Sequence, residues 1–289
     1  MRWKGGRESN NVEDRRSGGG MGRGIAGGGI GVIVIAVAAM FLGVDPALVM
    51  SVLEGTQSGA QPGISAQAPA QKPPANDAQA QFVSVVLADT EDTWRTLFQK
   101  DGGQYRESKL VLFRGAVQSA CGHAQAAMGP FYCPGDEKVY IDLAFFDDLQ
   151  KRFSAPGDFA QAYVIAHEIG HHVQNLMGIS GKVHAARQRV SETEYNQLSV
   201  RLELQADCLS GIWAHHADRT RQILESGDVE EALGAATAVG DDRMQMQARG
   251  YVTPESFSHG SSEQRARWFR RGLDSGQFAQ CNTFQARTL

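Results

Sequence analysis

At 289 residues, 42% hydrophobic and 21% charged, the chain is long enough for one sizeable domain with appendages. A net charge of −4, with no dense Lys/Arg stripe in the C-terminal two thirds, argues against nucleic acid as a partner.

The first 23 residues are rich in Gly and Arg. They carry six basic residues (Arg2, Lys4, Arg7, Arg15, Arg16, Arg23) against three acidic ones. Gly24 to Val44 follows, 21 residues without a charge, long enough to span a bilayer core as a helix. The next basic residue after it is Lys72, so the positive-inside bias predicts a cytoplasmic segment 1–23 and a single-pass anchor 24–44. The remainder would then face the periplasm or the exterior. The run is followed by "DPALVM", with no small-x-small cleavage site, which favours an uncleaved anchor over a removed leader. Residues 45–80 read as a disordered linker, dominated from Glu54 on by Ala, Gln, Pro, Gly and Ser. The folded domain is expected over 81–289.

Within that domain "QFVSVVLADTEDTWRTLFQKDG" reads as a helix, and "KLVLFRGAV" (Lys109 to Val117) as a strand. Alternation in Lys138 to Leu143 predicts a second strand, expected at the edge of the sheet beside a peptide cleft. Pro156 and Gly157 break the chain, Asp158 is a candidate cap, and a helix is predicted to about Leu176 with Gly178 as its stop. "SETE" (Ser191 to Glu194) has the capping-box pattern of a long helix reaching about Ala217. Shorter helices follow, the last near Ser262 to Leu273. Helices with a small sheet make the expected class α+β.

The chemistry is concentrated in "YVIAHEIGHHVQNLMG". His167 and His171 lie four apart, one above the other on a helix face, so both imidazoles can reach one ion. Glu168 sits about 100 degrees round the helix, beside that ion rather than bound to it. Zinc chemistry needs this pattern: neutral nitrogens hold the metal and a nearby carboxylate takes a proton from its water. In "RLELQADCLSG", Glu203 and Asp207 are again four apart. Glu203 is the candidate third ligand. Asp207 is placed to accept the far N–H of a ligand histidine and fix its tautomer. The arrangement H-E-x-x-H followed by E-x-x-x-D is that of thermolysin-like zincins. The metzincin alternative needs a histidine six residues after His171, where this chain has Met177. His172 points elsewhere on the helix and reads as structural or as a support behind the ligands, not as a ligand. His259 is a candidate donor to a developing oxyanion, with Tyr251 and Tyr140 as weaker alternatives.

The four cysteines are even in number, which in an oxidising compartment suggests disulfides. Cys121 with Cys133 would staple a short loop, leaving Cys208 with Cys281. Four cysteines still permit three connectivities.

These residues carry a resemblance. "MRWKGGRESNNVEDRR", "GPFYCPGDEKVYIDLAFF", "AHEIGHHVQNLMG", "RLELQADCLSGIWA" and "SHGSSEQRARWF" are together similar to the bacterial neutral zinc metallopeptidase family, over nearly the whole chain. The resemblance implies a membrane-anchored zinc peptidase with His167 and His171 as ligands and Glu168 as base. Glu203 rests mainly on spacing. The expected activity is hydrolysis of peptide bonds in a peptide or protein substrate. The alternatives are a non-proteolytic zinc-bearing envelope scaffold and an amidase acting on cell-wall material.

Overall fold

The computed structural model describes residues 1–16, 71–125 and 129–289. Its elements in chain order begin with strand β1 (Val12–Asp14), helix α1 (Ala78–Lys100) and strand β2 (Lys109–Phe113). A hairpin of β3 (Ala116–Ser119) and β4 (Gly122–Gln125) follows, then β5 (Phe131–Cys133) and β6 (Lys138–Asp142). The rest is helical: α2 (Ala144–Lys151), α3 (Asp158–Leu176), α4 (Ile179–Ala186), α5 (Glu192–Arg221), α6 (Asp228–Ala238), α7 (Asp241–Arg249) and α8 (Ser262–Ser275). The class is α+β. Among the described residues no helix is long and apolar enough to cross a membrane, and the expected anchor 24–44 lies outside them.

The apolar run "LVLF" in β2 has no polar face, the signature of a strand covered on both sides. The main sheet has the order β1-β2-β6-β5, with β5 the one antiparallel member. The period of two divides its side chains. Leu110, Leu112, Val139 and Ile141 join the helical core, together with Val83, Leu87, Phe159 and Ile169. Val111, Phe113 and Tyr140 form a smaller core with Val117, Ala124 and Cys133 beneath the β3–β4 hairpin. The run expected as one strand from Lys109 to Val117 is therefore two strands, separated at Arg114 and Gly115. The strand Lys138–Asp142 is interior, between β2 and β5, and not the edge that its alternation suggested. The edge is β5.

The expected boundary at residue 81 does not hold for the N-terminal residues. Strand β1 pairs in parallel with β2, Val12 opposite Leu110. Trp3 packs edge-to-face on Phe82 at 5.4 Å, and the Met1 amino group lies 2.6 Å from Asp158. Residues 1–16 and 71–289 thus share one core.

Helix α3 begins one residue earlier than its cap reading implied. Gly157 is the N-cap, and the Phe159 amide is taken by Glu231 at 3.0 Å rather than by Asp158. Helices α5 and α8 start on full capping boxes, Ser191 with Glu194 and Ser261 with Gln264.

Candidate metal centre

Two helices build the site. Helix α3 carries His167, Glu168 and His171, and α5 carries Glu203 and Asp207. Their backbones come close because α3 has Gly170 at the crossing. A Cβ there would stand 3.0 Å from the Ala206 carbonyl oxygen and 3.2 Å from its Cα. Helix–helix distance follows the side chains at the contact. With glycine there, short carboxylates on α5 reach the imidazoles on α3.

His167, His171 and Glu203 each offer one ligand atom within 4.8 Å of the other two. His167 Nε2 is 3.3 Å from Glu203 Oε2, and His171 Nε2 is 3.4 Å from Glu203 Oε1. The rings are 4.8 Å apart and nearly perpendicular, at 88°. The far nitrogens are fixed from behind: His167 Nδ1 meets Asp207 Oδ1 at 2.8 Å, and His171 Nδ1 meets Gln174 Oε1 at 2.9 Å. A carboxylate and an amide oxygen only accept hydrogen bonds, so each Nδ1 carries a proton, and each Nε2, turned toward Glu203, is the position a metal would take in place of a proton. Gln174 is oriented in turn, donating to the Leu202 carbonyl at 2.7 Å and to Gln205 Oε1 at 3.1 Å.

Asp207 is the hub of a fully buried cluster. Arg265 of α8 reaches it with Nε at 2.9 Å and Nη2 at 3.0 Å, and Tyr163 donates its hydroxyl at 2.6 Å. Burial alone would raise the Asp207 pKa. Arg265 and His167 overcome it and bring the pKa to about 2. Burial opposes charge on His167, but Asp207 and Glu203 outweigh it, so a protonated His167 has a pKa of about 10. Glu203 is pushed the other way: burial raises it, and the two histidines hold it well below the ordinary carboxylate value. Glu168 is buried and its pKa is raised, burial being the main cause and the two histidines opposing it.

His259 stands on the loop before α8. The Asp241 carboxylate gathers that loop, accepting from the amides of Ser258, His259 and Gly260 at 2.8, 2.6 and 3.0 Å. Asp241 Oδ1 also meets His259 Nδ1 at 3.1 Å, which leaves Nε2 free for another partner. Partial burial lowers the His259 pKa, and Asp241 and Glu203 more than offset it.

Two residues weighed in the sequence lie elsewhere. Tyr140 gives its hydroxyl to Asp136 at 2.7 Å, and Tyr251 is exposed. His172 turns away from the site, with Nε2 on the Arg106 carbonyl at 2.6 Å and Nδ1 on the Tyr132 hydroxyl at 3.0 Å. It ties α3 to β5. Both cysteine pairs are bonded, Cys121 with Cys133 and Cys208 with Cys281. The first joins β5 to the hairpin turn.

Four residues of this neighbourhood were not singled out in the sequence: Tyr163, Gln174, Asp241 and Arg265. The signal for Arg265 was available. Arg265, Trp268, Phe269 and Gly272 are all buried and fall at i, i+3, i+4 and i+7, so this arginine lies in the core stripe of α8.

The profile of a family described as "Putative neutral zinc metallopeptidase" matches residues 1–284. The chain belongs to this family. The uncharacterized protein YpfJ of Escherichia coli (strain K12) is 51% identical over 292 residues, covering 98% of this chain and 99% of that one. The uncharacterized protein Mb2605 of Mycobacterium bovis is 38% identical over 262 residues, covering 87% and 86%. No solved structure matches the chain. The family name points to zinc. Two imidazole nitrogens and one carboxylate, with each Nδ1 held from behind, are a donor set that fits it.

Proposed function

We propose that the protein is a zinc-dependent endopeptidase, held at a membrane by the run Gly24–Val44, with its working body outside the cytoplasm. The observation that carries the catalytic reading is the convergence of His167 Nε2, His171 Nε2 and the Glu203 carboxylate beside a buried Glu168. The compartment rests on the two disulfides, which persist where the environment is oxidising.

His167, His171 and Glu203 would hold the zinc, and Asp207 and Gln174 keep the imidazoles in register. Zinc at this site supplies a Lewis acid for the substrate carbonyl and an acidified water. Glu168 is the general base. Buried beside the ligand set, it is placed to take a proton from the metal's water, and the same carboxyl returns that proton to the leaving amine. His259, steadied through Nδ1 by Asp241, offers Nε2 to the carbonyl oxygen as negative charge develops there. The outer edge of β5 pairs with no strand among the described residues, and β5 is anchored to α3 through Tyr132. An extended peptide adds to such an edge by backbone hydrogen bonds, which favours a peptide as the substrate.

The test is cleavage of a diverse peptide library by the full zinc-loaded chain and by Glu168→Gln with matched zinc content. Cleavage by the wild type, with a loss of about 10²-fold or more in the variant, supports the reading. A zinc-loaded wild type that cleaves no peptide refutes it, and turnover of cell-wall amides instead would identify the amidase.

A further inference from the structure

The N-terminal strand constrains how this chain can meet a membrane. Strand β1 is hydrogen-bonded to β2 inside the sheet. The residues around it are bound to the same body: Ser9 and Asn11 to Glu91, Asn11 also to Glu107, and Glu13 to Lys109 and Lys138. The end of this segment meets the chain again at Gln71. Asp14 and Gln71 exchange backbone hydrogen bonds of 2.7 and 3.1 Å, and Arg16 pairs with Asp77 at 2.7 Å.

A strand and its sheet neighbour stand about 5 Å apart, whereas a bilayer core is about 30 Å thick. Residues 1–16 and 71–289 therefore cannot lie on opposite sides. The chain between them must cross an even number of times. Its sequence offers one charge-free run of spanning length, Gly24–Val44; the remainder to residue 70 carries Asp45 and Glu54 and is rich in Gln, Gly and Pro.

The basic flank that suggested a cytoplasmic N-terminus has another use. Arg2 approaches Glu225 at 3.7 Å, Arg7 pairs with Asp92 at 2.8 Å, Arg15 with Glu13 at 2.7 Å, and Arg16 with Asp77. These cations answer carboxylates of the folded body, so their count does not report the side of the membrane.

We propose that residues 1–16 lie with the metallopeptidase body on one side of the membrane, the oxidising side, and not on the cytoplasmic side that the basic flank suggested. The proposal is independent of the peptidase reading, because it rests on sheet pairing and disulfides alone.

The experiment uses the full chain in a Gram-negative host with a permeabilised outer membrane. A single cysteine replaces Glu8 or, separately, Arg287, both exposed, and a membrane-impermeant maleimide is applied before and after lysis. The native cysteines are all bonded, so they do not react. Equal labelling of both positions before lysis is expected, with less than a twofold rise afterwards. Labelling of position 287 alone, with position 8 reacting only after lysis, overturns the proposal. Labelling of both only after lysis overturns the oxidising placement. As a second measurement, Asp14→Cys with Gln71→Cys is expected to yield a linked peptide in mass spectra of the membrane fraction. Its absence from a chain that keeps both native disulfides would overturn the adjacency.

Discussion

Replacing Arg265 by methionine tests the logic of the site most sharply. The arginine is 5% exposed and faces Asp207, which is 0% exposed, through two hydrogen bonds of 2.9 and 3.0 Å. Methionine fills much of the space but leaves the carboxylate without its cation. Removing one partner of a buried pair costs about 3–5 kcal/mol. At about 2–4 °C per kcal/mol for a body of this size, the melting temperature should fall by roughly 6–20 °C. A second effect acts through Asp207. Its pKa of about 2 depends on Arg265 and His167, and without the arginine it rises. As the carboxylate is freed from Arg265, its hold on His167 Nδ1 loosens, and the imidazole is less firmly oriented toward the metal position. Zinc affinity should therefore fall about 10–100-fold, the usual effect of losing a partner behind the ligands. Thermal unfolding and a competitive zinc titration read the two effects separately. Adding Asp207→Asn to Arg265→Met removes the stranded charge and should recover part of the lost stability, a coupling of about 1–3 kcal/mol. A single variant that melts within 2 °C of wild type and binds zinc unchanged would refute the reasoning.

Other consequences can be read in parallel. His259→Ala should lower kcat on a cleaved peptide about 10²–10³-fold with little change in KM, since its Nε2 acts as charge develops; a loss under threefold would exclude it as the donor. Gly272→Ala should destabilise by about 1–3 kcal/mol or more in denaturant titration, because a Cβ there would stand 1.9 Å from the Cys208 carbonyl oxygen. Acid should expose Asp207. Its folded pKa lies below its ordinary value of 3.8, so the unfolded chain binds the extra proton and stability falls as pH drops from about 4 to about 2. The wild type should lose about 2 kcal/mol more than Asp207→Asn across that window, measured by urea midpoints; equal losses would contradict the pairing.

The sequence made the helical half of the site readable, because helix geometry is local. Residues four apart share a face wherever the helix ends up, so His167 with His171, and Glu203 with Asp207, could be paired before any tertiary contact was known. The capping boxes at Ser191 and Ser261 are equally local. The sheet was less readable. Strand β1 has three residues and only Val12 as an apolar member, and its partner β2 lies some hundred positions away, so neither length nor periodicity marks it. Strand β6 alternates as an edge strand would, yet Tyr140 on its other face is buried under a hairpin that no pattern within β6 reports. Arg265 lay between these cases. Its phase in α8 was legible, but Arg267, Arg270 and Arg271 surround it, and only the shared stripe with Trp268 and Phe269 separates the buried arginine from the others.

The site combines rigid and adaptable parts, and the packing explains the division. Ligands and their supports sit on helices whose backbones nearly touch. Gly170 allows α3 onto Ala206 of α5, while Gly211 and Gly272 allow α5 onto α8, where the Cys208–Cys281 bridge joins α5 to the chain just beyond α8. Close-packed contacts of this kind resist displacement, because any shift opens a void or forces an overlap. Arg265 is thereby held under Asp207, Asp207 behind His167, and His167 against Glu203. His259 has no such support. It stands half exposed, with 54% of its side chain accessible, on a loop gathered by the single carboxylate of Asp241. A metal site needs ligands fixed within tenths of an ångström, whereas a donor to a reacting carbonyl would have to follow the substrate as it docks. Loosening the loop through Asp241→Asn should therefore change turnover far more than zinc affinity, the reverse of the pattern expected for Arg265→Met.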